Sequence, residues 1–320
     1  MFRWEKLRKV FTPQEVGDRP WLKEFAQAPS TLLFDRFVRV YFSCRPPPEA
    51  SGQYVSYSAY VDLDRFDLFR VLRVSDQPIL PLGGLGEFDE YGTYPVSAIR
   101  NGQEVWVYYG GWTRCESVPF NVAIGLAKSL DGGKTFNKVG RGPMLSYSPE
   151  EPFVLIGPKV RRFNDRWYLF YIAGSRWKDV DGRAEPVYKI RMAISTDGVN
   201  WTKIGRALIE NRIEQDEAQA SPDVFHANGR YHMFFCYRHS THFRGKARGY
   251  RIGYAFSDDL LNWTRDDERV GIDVSSEGWD SEMISYPHVF EVDATVYMAY
   301  LGNDVGRHGF GLAKLVGTLT

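Results

Sequence analysis

The chain has 320 residues, and its 40 basic and 40 acidic side chains balance, which leaves no electrostatic case for nucleic acid or an anionic membrane as a partner. Three cysteines, Cys44, Cys115 and Cys236, are too few and odd in number for a disulfide framework, and no stretch approaches the 18 apolar residues of a membrane span. The opening residues, Met-Phe-Arg-Trp-Glu-Lys-Leu-Arg-Lys-Val, contain no apolar run, so the expectation is a cytoplasmic protein with free thiols and no signal peptide. Aromatic residues make up 15%, a level that suits pleated, half-buried strands and also surfaces that pack against sugar rings.

A repeat organises the whole chain. Pro29, Pro95, Pro158, Pro222 and Pro287 each open an apolar strand, at spacings of 66, 63, 64 and 65 residues. Glu24, Glu90, Glu217 and Glu282 each stand five residues before their proline, and the third repeat has Glu150 and Glu151 earlier. A fixed period of this length marks a repeat architecture.

In chain order, the first repeat reads as strands over 31–34, 37–43, 53–62 and 69–74. The second reads as 96–100, 104–109, 121–129 and 136–139. The third reads as 158–162, 166–173, 187–195 and 201–209, with a polar loop over 174–186. The fourth copies it through 223–227, 230–237, 250–257 and 263–270. Short alternating segments separated by Gly, Asn and Asp predict antiparallel hairpins. The fifth repeat has only three strands, near 288–292, 295–301 and 309–316, but Trp4-Glu5-Lys6-Leu7-Arg8-Lys9-Val10 resembles the fourth strand beginning at Trp201. The N-terminus therefore supplies the missing strand. The prediction is an all-β, five-bladed β-propeller of four-stranded antiparallel blades, a single domain over 1–320, closed by the N-terminal strand in the last blade.

Ser129-Leu130-Asp131-Gly132-Gly133-Lys134-Thr135-Phe136 fits the Asp-box of sialidases, and Ser195–Trp201 and Ser257–Trp263 are variants. Turn chemistry accounts for them, since an Asp bonding its own backbone closes such a turn. They join third and fourth strands, on the rim opposite the repeated acids.

The other rim gathers the unusual loops. Residues 110–116 hold Trp112, 174–181 hold Arg176 and Trp177, and 302–308 hold Asp304 and Arg307. The basic loop 238–251 carries Arg238, His239, His242, Arg244, Lys246, Arg248 and Arg251. Converging polar groups in a funnel define the expected site. Arginines suit a phosphate or carboxylate. Arg238, His239, His242, Arg244, Arg176, His288, Asp304 and Arg307 are thus the expected ligand-binding residues, with Trp112 and Trp177 as sugar platforms. His239-x-x-His242 is too thin a pattern for a metal site, and neither metal nor cofactor is expected.

At this point the chain resembles the five-bladed propeller glycosidases of the arabinanase, invertase and levansucrase superfamily, with the mannoside phosphorylases as relatives. That resemblance implies acids at the starts of inner strands, including a Glu general acid, which Glu217-Ala218 in its Glu-Ala-Gln-Ala setting matches. The family's Asp-Pro pair stands here as Gly157-Pro158, and Glu24 and Gln27 stand in place of its early Asp. Glycoside cleavage needs one carboxyl to protonate the leaving oxygen and a second to activate water or attack. The candidates are Glu217, Glu90 and Glu282, with Asp89 and Asp280 beside them. An acid recurring in four of five repeats also fits a structural bond at each blade junction. The expected activity is that of a glycoside hydrolase on a small, anionic glycan or glycoside. A glycoside phosphorylase, or a propeller that binds sugar without turnover, is the alternative. The expected partners are a small carbohydrate and an anion such as phosphate.

Overall fold

The computed structural model describes residues 2–320 and consists of five four-stranded antiparallel sheets. Strand β1 (Arg3–Phe11) comes first in the chain but belongs to the last blade. Blade one is β2 (Glu24–Leu33), β3 (Phe37–Arg45), β4 (Tyr57–Asp64) and β5 (Val71–Val74). Blade two is β6 (Gly92–Asn101), β7 (Glu104–Thr113), β8 (Asn121–Ser129) and β9 (Asn137–Lys138). Blade three is β10 (Phe153–Phe163), β11 (Arg166–Val180), β12 (Arg183–Ser195) and β13 (Thr202–Lys203). Blade four is β14 (Ala218–Ala227), β15 (Arg230–Arg238), β16 (Arg251–Ser257) and β17 (Thr264–Arg265). Blade five is β18 (Ser285–Val292), β19 (Thr295–Leu301) and β20 (Phe310–Val316), completed by β1 pairing with β20.

The inner strands begin earlier than the sequence pattern suggests, because pairing runs on past each repeated proline through a bulge. The register shifts between Gln27 and Ser30, Thr93 and Val96, Ile156 and Lys159, Ala220 and Asp223, and Ser285 and His288. Four of these bulges place the residue before proline at positive φ, namely Ala28, Gly157, Ser221 and Tyr286. A bulge re-aims side chains, and Gly157, Ser221 and Tyr286, with Tyr94 before Pro95 in blade two, reach the central cavity.

The expected polar loop 174–186 is instead a hairpin, formed because β11 and β12 stay paired to Val180 and Arg183. Its turn, Asp181-Gly182, has both residues at positive φ. Asp-Gly is the turn chemistry that a tight hairpin of this hand requires.

Apolar faces pack between neighbouring blades. Trp106 stacks on Trp167 with centroids 5.5 Å apart, joining blades two and three. Phe2, just before β1, and Trp4 within it lie edge-on to Phe234, joining blades five and four. Each fully buried side chain of this kind contributes about 1.5–3 kcal/mol.

Around the axis, side chains stitch each inner strand to the next. Ser30 Oγ accepts from the Ala98 amide (3.1 Å), and Ser97 Oγ from that of Val160 (3.0 Å). Arg161 Nε donates to the Val224 carbonyl (2.9 Å), and Asp223 Oδ2 accepts from the Val289 amide (2.6 Å). His288 Nε2 closes the ring by accepting from the Thr31 amide at 2.9 Å. The imidazole proton therefore lies on Nδ1, 2.9 Å from Asp223 Oδ2. Burial and the neighbouring Lys159 cation push the His288 pKa down to about 4. Burial alone would raise Asp223, but Arg161, His288 and Lys159 outweigh it and hold the carboxyl well below its usual range.

The Asp-box turns close on themselves as expected. Asp131 accepts from the Lys134 and Thr135 amides at 2.9 and 3.1 Å, and Asp197 and Asp259 repeat the pattern. Among the described residues no helix is long and apolar enough to cross a membrane, and the three cysteines are unpaired.

Candidate functional site

Of the repeated acids only Glu217 sits in a buried clamp, and in the other clamped blades a neighbouring acid, Asp89, Glu151 or Asp280, takes that place. Asp89 accepts from Tyr109 (3.0 Å) and from Lys138 (2.6 Å). Glu151 accepts from Tyr171 (2.9 Å) and Lys203 (2.8 Å), and Asp280 from Tyr300 (2.9 Å) and Lys6 (2.7 Å). The cation sits at one register position, opposite Ala127, Ala193 or Ala313 of the third strand. In blade four that position holds Arg265, opposite Ala255, and its partner is Glu217 at 2.5 Å. Glu217 also accepts from the Arg212 and Ile213 amides at 3.0 and 3.1 Å, and both it and Arg265 are fully buried. Blade one replaces the cation by Val74, opposite Val61, and fills the space with apolar side chains such as Leu22 and Phe42.

None of the five expected catalytic carboxylates faces the central cavity. Asp89, Asp280 and Glu217 are spent in clamps. Glu90 accepts from the Gly86 amide at 3.0 Å, and Glu282 lies exposed outside the cavity. The clamp acids precede the bulge, and their side chains turn toward the outer strand of their own blade.

The cavity occupies about 570 Å³ at the rim formed by the loops into the inner strands and those between second and third strands. Its wall carries five arginines, Arg45, Arg183, Arg238, Arg244 and Arg307, against two carboxylates, Glu185 and Asp304. Five tyrosines, Tyr54, Tyr94, Tyr188, Tyr250 and Tyr286, add hydroxyls to the wall, with Gln27 and Ser221 beside them.

The arginines differ in what they meet. Arg307 bonds Glu24 (2.6 Å), which also accepts from Tyr54 at 2.9 Å. Arg244 bonds Glu185 at 2.7 Å, and Arg183 bonds the same oxygen at 3.2 Å. Arg45 and Arg238 have no carboxylate partner. Arg45 donates to Ser56 Oγ at 3.1 Å and to Gln27 Oε1 at 3.3 Å, with the Phe25 ring 4.5 Å away. Arg238 is 2% exposed, lies 3.5 Å over Phe243, and donates to Tyr250 Oη and to the His239 and Pro186 carbonyls. Its direct acceptors are all neutral, and Glu185 is the nearby carboxylate that acts on its charge.

The phenols stay protonated. Burial raises the pKa of Tyr188, Tyr250 and Tyr286, so these hydroxyls keep their protons. Tyr94 and Tyr286 meet hydroxyl to hydroxyl at 3.2 Å. Asp304 is the cavity carboxylate not bonded to an arginine. The His308 imidazole lies 3.7 Å from it.

Of the expected ligand-binding residues, Arg238, Arg244, Asp304 and Arg307 line this cavity, and Trp112 lines a smaller one beside it. His239 bonds Glu214 at 2.7 Å, and Arg176 pairs with Asp216. Trp177 packs edge-on against Phe120 at 5.4 Å, His242 is exposed, and His288 belongs to the axial ring. Among the described residues no three His, Cys, Asp or Glu side chains gather as a metal would require.

Glu185 was not foreseen. The β11–β12 hairpin delivers it, held against blade four by the Arg238 bond to the Pro186 carbonyl and a 3.1 Å bond from Lys178 to Ser240. The Asp181-Gly182 dipeptide was the available signal. An acid twenty residues before a tyrosine, as in 89/109, 151/171 and 280/300, was the signal for the clamps.

The architecture is that of the five-bladed β-propeller glycosidases and phosphorylases. A solved structure described as a glycoside hydrolase superposes with a TM-score of 0.74 at 16% identity, covering 99% of this chain and 93% of that one. A GH130 structure superposes with a TM-score of 0.72 at 14% identity, covering 97% and 93%. Its description places glycoside hydrolases that target β-1,2 mannosidic linkages in Candida mannan within a family of mannoside phosphorylases. No family model matches the chain. The uncharacterised Mycobacterium tuberculosis protein Rv1502 (strain ATCC 25618 / H37Rv) is 34% identical over 313 residues, 98% of this chain and 99% of that protein, and MT1551 of strain CDC 1551 / Oshkosh matches equally. The chain belongs to the same family as these two proteins. The β-1,2-mannobiose phosphorylase of Thermoanaerobacter sp. (strain X514) is 24% identical over 178 residues, 52% of this chain and 54% of the enzyme.

Proposed function

We propose that this protein is a carbohydrate-active enzyme that transfers a glycosyl unit from a small glycoside to phosphate in the central cavity. The observation that carries this reading is the imbalance of the wall: five arginines, two of them without a carboxylate partner, against two acids. Inverting hydrolysis requires a second carboxylate to activate water. Phosphate brings its own anionic oxygen and needs cations to hold it, which Arg45 and Arg238 are placed to provide. Glu185 already accepts from two arginines, and Asp304 is left to protonate the leaving oxygen. In the step, a phosphate oxygen bonds to the anomeric carbon as the glycosidic C–O bond breaks. The departing oxygen takes the Asp304 proton, and the remaining phosphate proton restores it. The partial likeness to a β-1,2-mannobiose phosphorylase agrees with this reading.

The test is a panel of glycosides incubated with and without inorganic phosphate, with products followed by ³¹P NMR. A glycosyl phosphate should appear only with phosphate, and Asp304→Asn should lower its rate by about 10²–10⁴-fold. Free sugar released at the same rate without phosphate contradicts the proposal, and so does an Asp304→Asn enzyme of full activity on an unactivated glycoside.

A further inference from the structure

A second cavity, of about 250 Å³, opens beside the first, and the two share Arg45, Tyr54, Tyr94, Phe120, Ile156 and Arg183 as a common wall. Beyond that wall its character changes. Trp112, Pro119 and Val122 join Phe120 and Ile156 in lining it, and no carboxylate does. Its additional cation, Arg114, is already engaged: it pairs with Glu49 at 3.0 Å, donates to the Tyr54 carbonyl at 3.1 Å and lies 4.1 Å over the Tyr91 ring.

The aromatic wall is built, not incidental. Trp112 lies flat against Gly92, where a Cβ would meet its indole nitrogen at 1.6 Å, so glycine is what lets the ring lie there. Phe120 is braced edge-on by Trp177 of the neighbouring hairpin at 5.4 Å. A sugar ring needs acceptors for its hydroxyls, and sugar sites commonly supply them as carboxylates and amides. This compartment offers one amide, Gln53, and no carboxylate, and most of the wall it adds is rings and aliphatic side chains. Burial of apolar area against such a wall favours a ligand without hydroxyls.

Resting on the reading that a glycosyl unit occupies the first cavity, we propose that the second compartment holds the leaving group, and that this group is an apolar aglycone, aryl or alkyl, not a second sugar. The shared wall then brackets the scissile bond, with Arg45 facing both compartments.

The experiment compares three probes for each glycosyl unit: the 4-nitrophenyl glycoside, the methyl glycoside and a disaccharide with the same non-reducing sugar. Dissociation constants are read by calorimetry at low temperature, for the wild type and for Trp112→Ala and Phe120→Ala made separately. For at least one glycosyl unit the aryl glycoside should bind about tenfold or more tighter than the methyl glycoside and than the disaccharide. Each substitution should bring the aryl constant toward the methyl one. Inorganic phosphate, titrated into the same preparations, reports separately on their integrity and on the transfer reading. A disaccharide that binds as tightly as the aryl glycoside overturns the inference. So does equal binding of aryl and methyl probes, binding of none of them, or an aryl preference that survives both substitutions.

Discussion

In the blade clamps every cation meets an acid: Lys138 with Asp89, Lys203 with Glu151, Arg265 with Glu217 and Lys6 with Asp280. In the cavity, Arg45 and Arg238 meet hydroxyls, carbonyls, an amide oxygen and aromatic rings. Both regions draw on acids, tyrosines and cations. What separates them is closure. In a clamp the carboxylate, phenol and ammonium satisfy one another, and substituting one partner leaves a buried charge exposed to its full desolvation penalty. In the cavity the positive charge is left over. In this molecule unpaired charge, more than the presence of acids, separates the cavity from the blade junctions.

The largest effect should come from opening the ring. Deleting residues 2–11 removes β1, the Lys6–Asp280 pair and the buried Phe2, Trp4 and Phe11. The loss should be on the order of 10 kcal/mol, comparable with the stability of a whole domain, and it exposes an unpaired strand edge. Thermal denaturation checks it. A truncated chain that melts within a few degrees of the full one would show that the N-terminal clamp is dispensable.

Next comes the blade-four clamp. Arg265→Ala strands Glu217 without its cation and should destabilise by about 3–5 kcal/mol in urea. Glu217→Gln should also lower stability, yet leave turnover intact below its melting range. If Glu217→Gln instead abolishes activity at unchanged stability, this acid does chemistry and the distinction between clamp and cavity fails.

A smaller effect sits on the axial ring. His288 is held neutral, with its pKa pushed down to about 4 from the ordinary value near 6.5. Between those values the unfolded chain binds a proton that the folded chain does not, so stability rises with pH across this window and falls on acidification. The His288 contribution should have a slope of at most about 1.4 kcal/mol per pH unit. Asp223, held low, adds to the loss at more acidic pH, where this aspartate in the unfolded chain takes up a proton that the folded chain does not. His288→Asn should flatten the dependence between pH 6.5 and 4, as followed by urea denaturation at stepped pH. An unchanged slope would place the proton elsewhere.

These two regions were unequally legible in the sequence. The repeated prolines carry the period because each sits at a bulge within an inner strand, and the likeness of Trp4–Val10 to the strand after Trp201 predicted closure by β1. The rim holding the cavity followed from strand direction alone. The acids were harder. Five residues before proline places Glu217 near the funnel in the chain, but the bulge between Ala220 and Asp223 breaks the alternation that tells inward from outward. Its partner, Arg265, lies 48 residues further on and becomes a partner only through the β16–β17 register. Glu185 was hidden for a similar reason. It reaches the cavity because a hairpin extends beyond the blade, and only its turn dipeptide is local.

Phosphate binding tests the contrast most directly. Inorganic phosphate is titrated calorimetrically into the wild type, Arg45→Ala and the clamp variant Lys203→Met. Saturable binding is expected in the wild type and in Lys203→Met, and Arg45→Ala should weaken it by about tenfold or more, as loss of a charge-assisted bond implies. At 100 times its dissociation constant, phosphate should also stabilise the wild type by about 2.7 kcal/mol. Absence of binding in the wild type, or equal binding in the wild type and Arg45→Ala, would contradict the claim that the cavity's unpaired arginines are there for an anion.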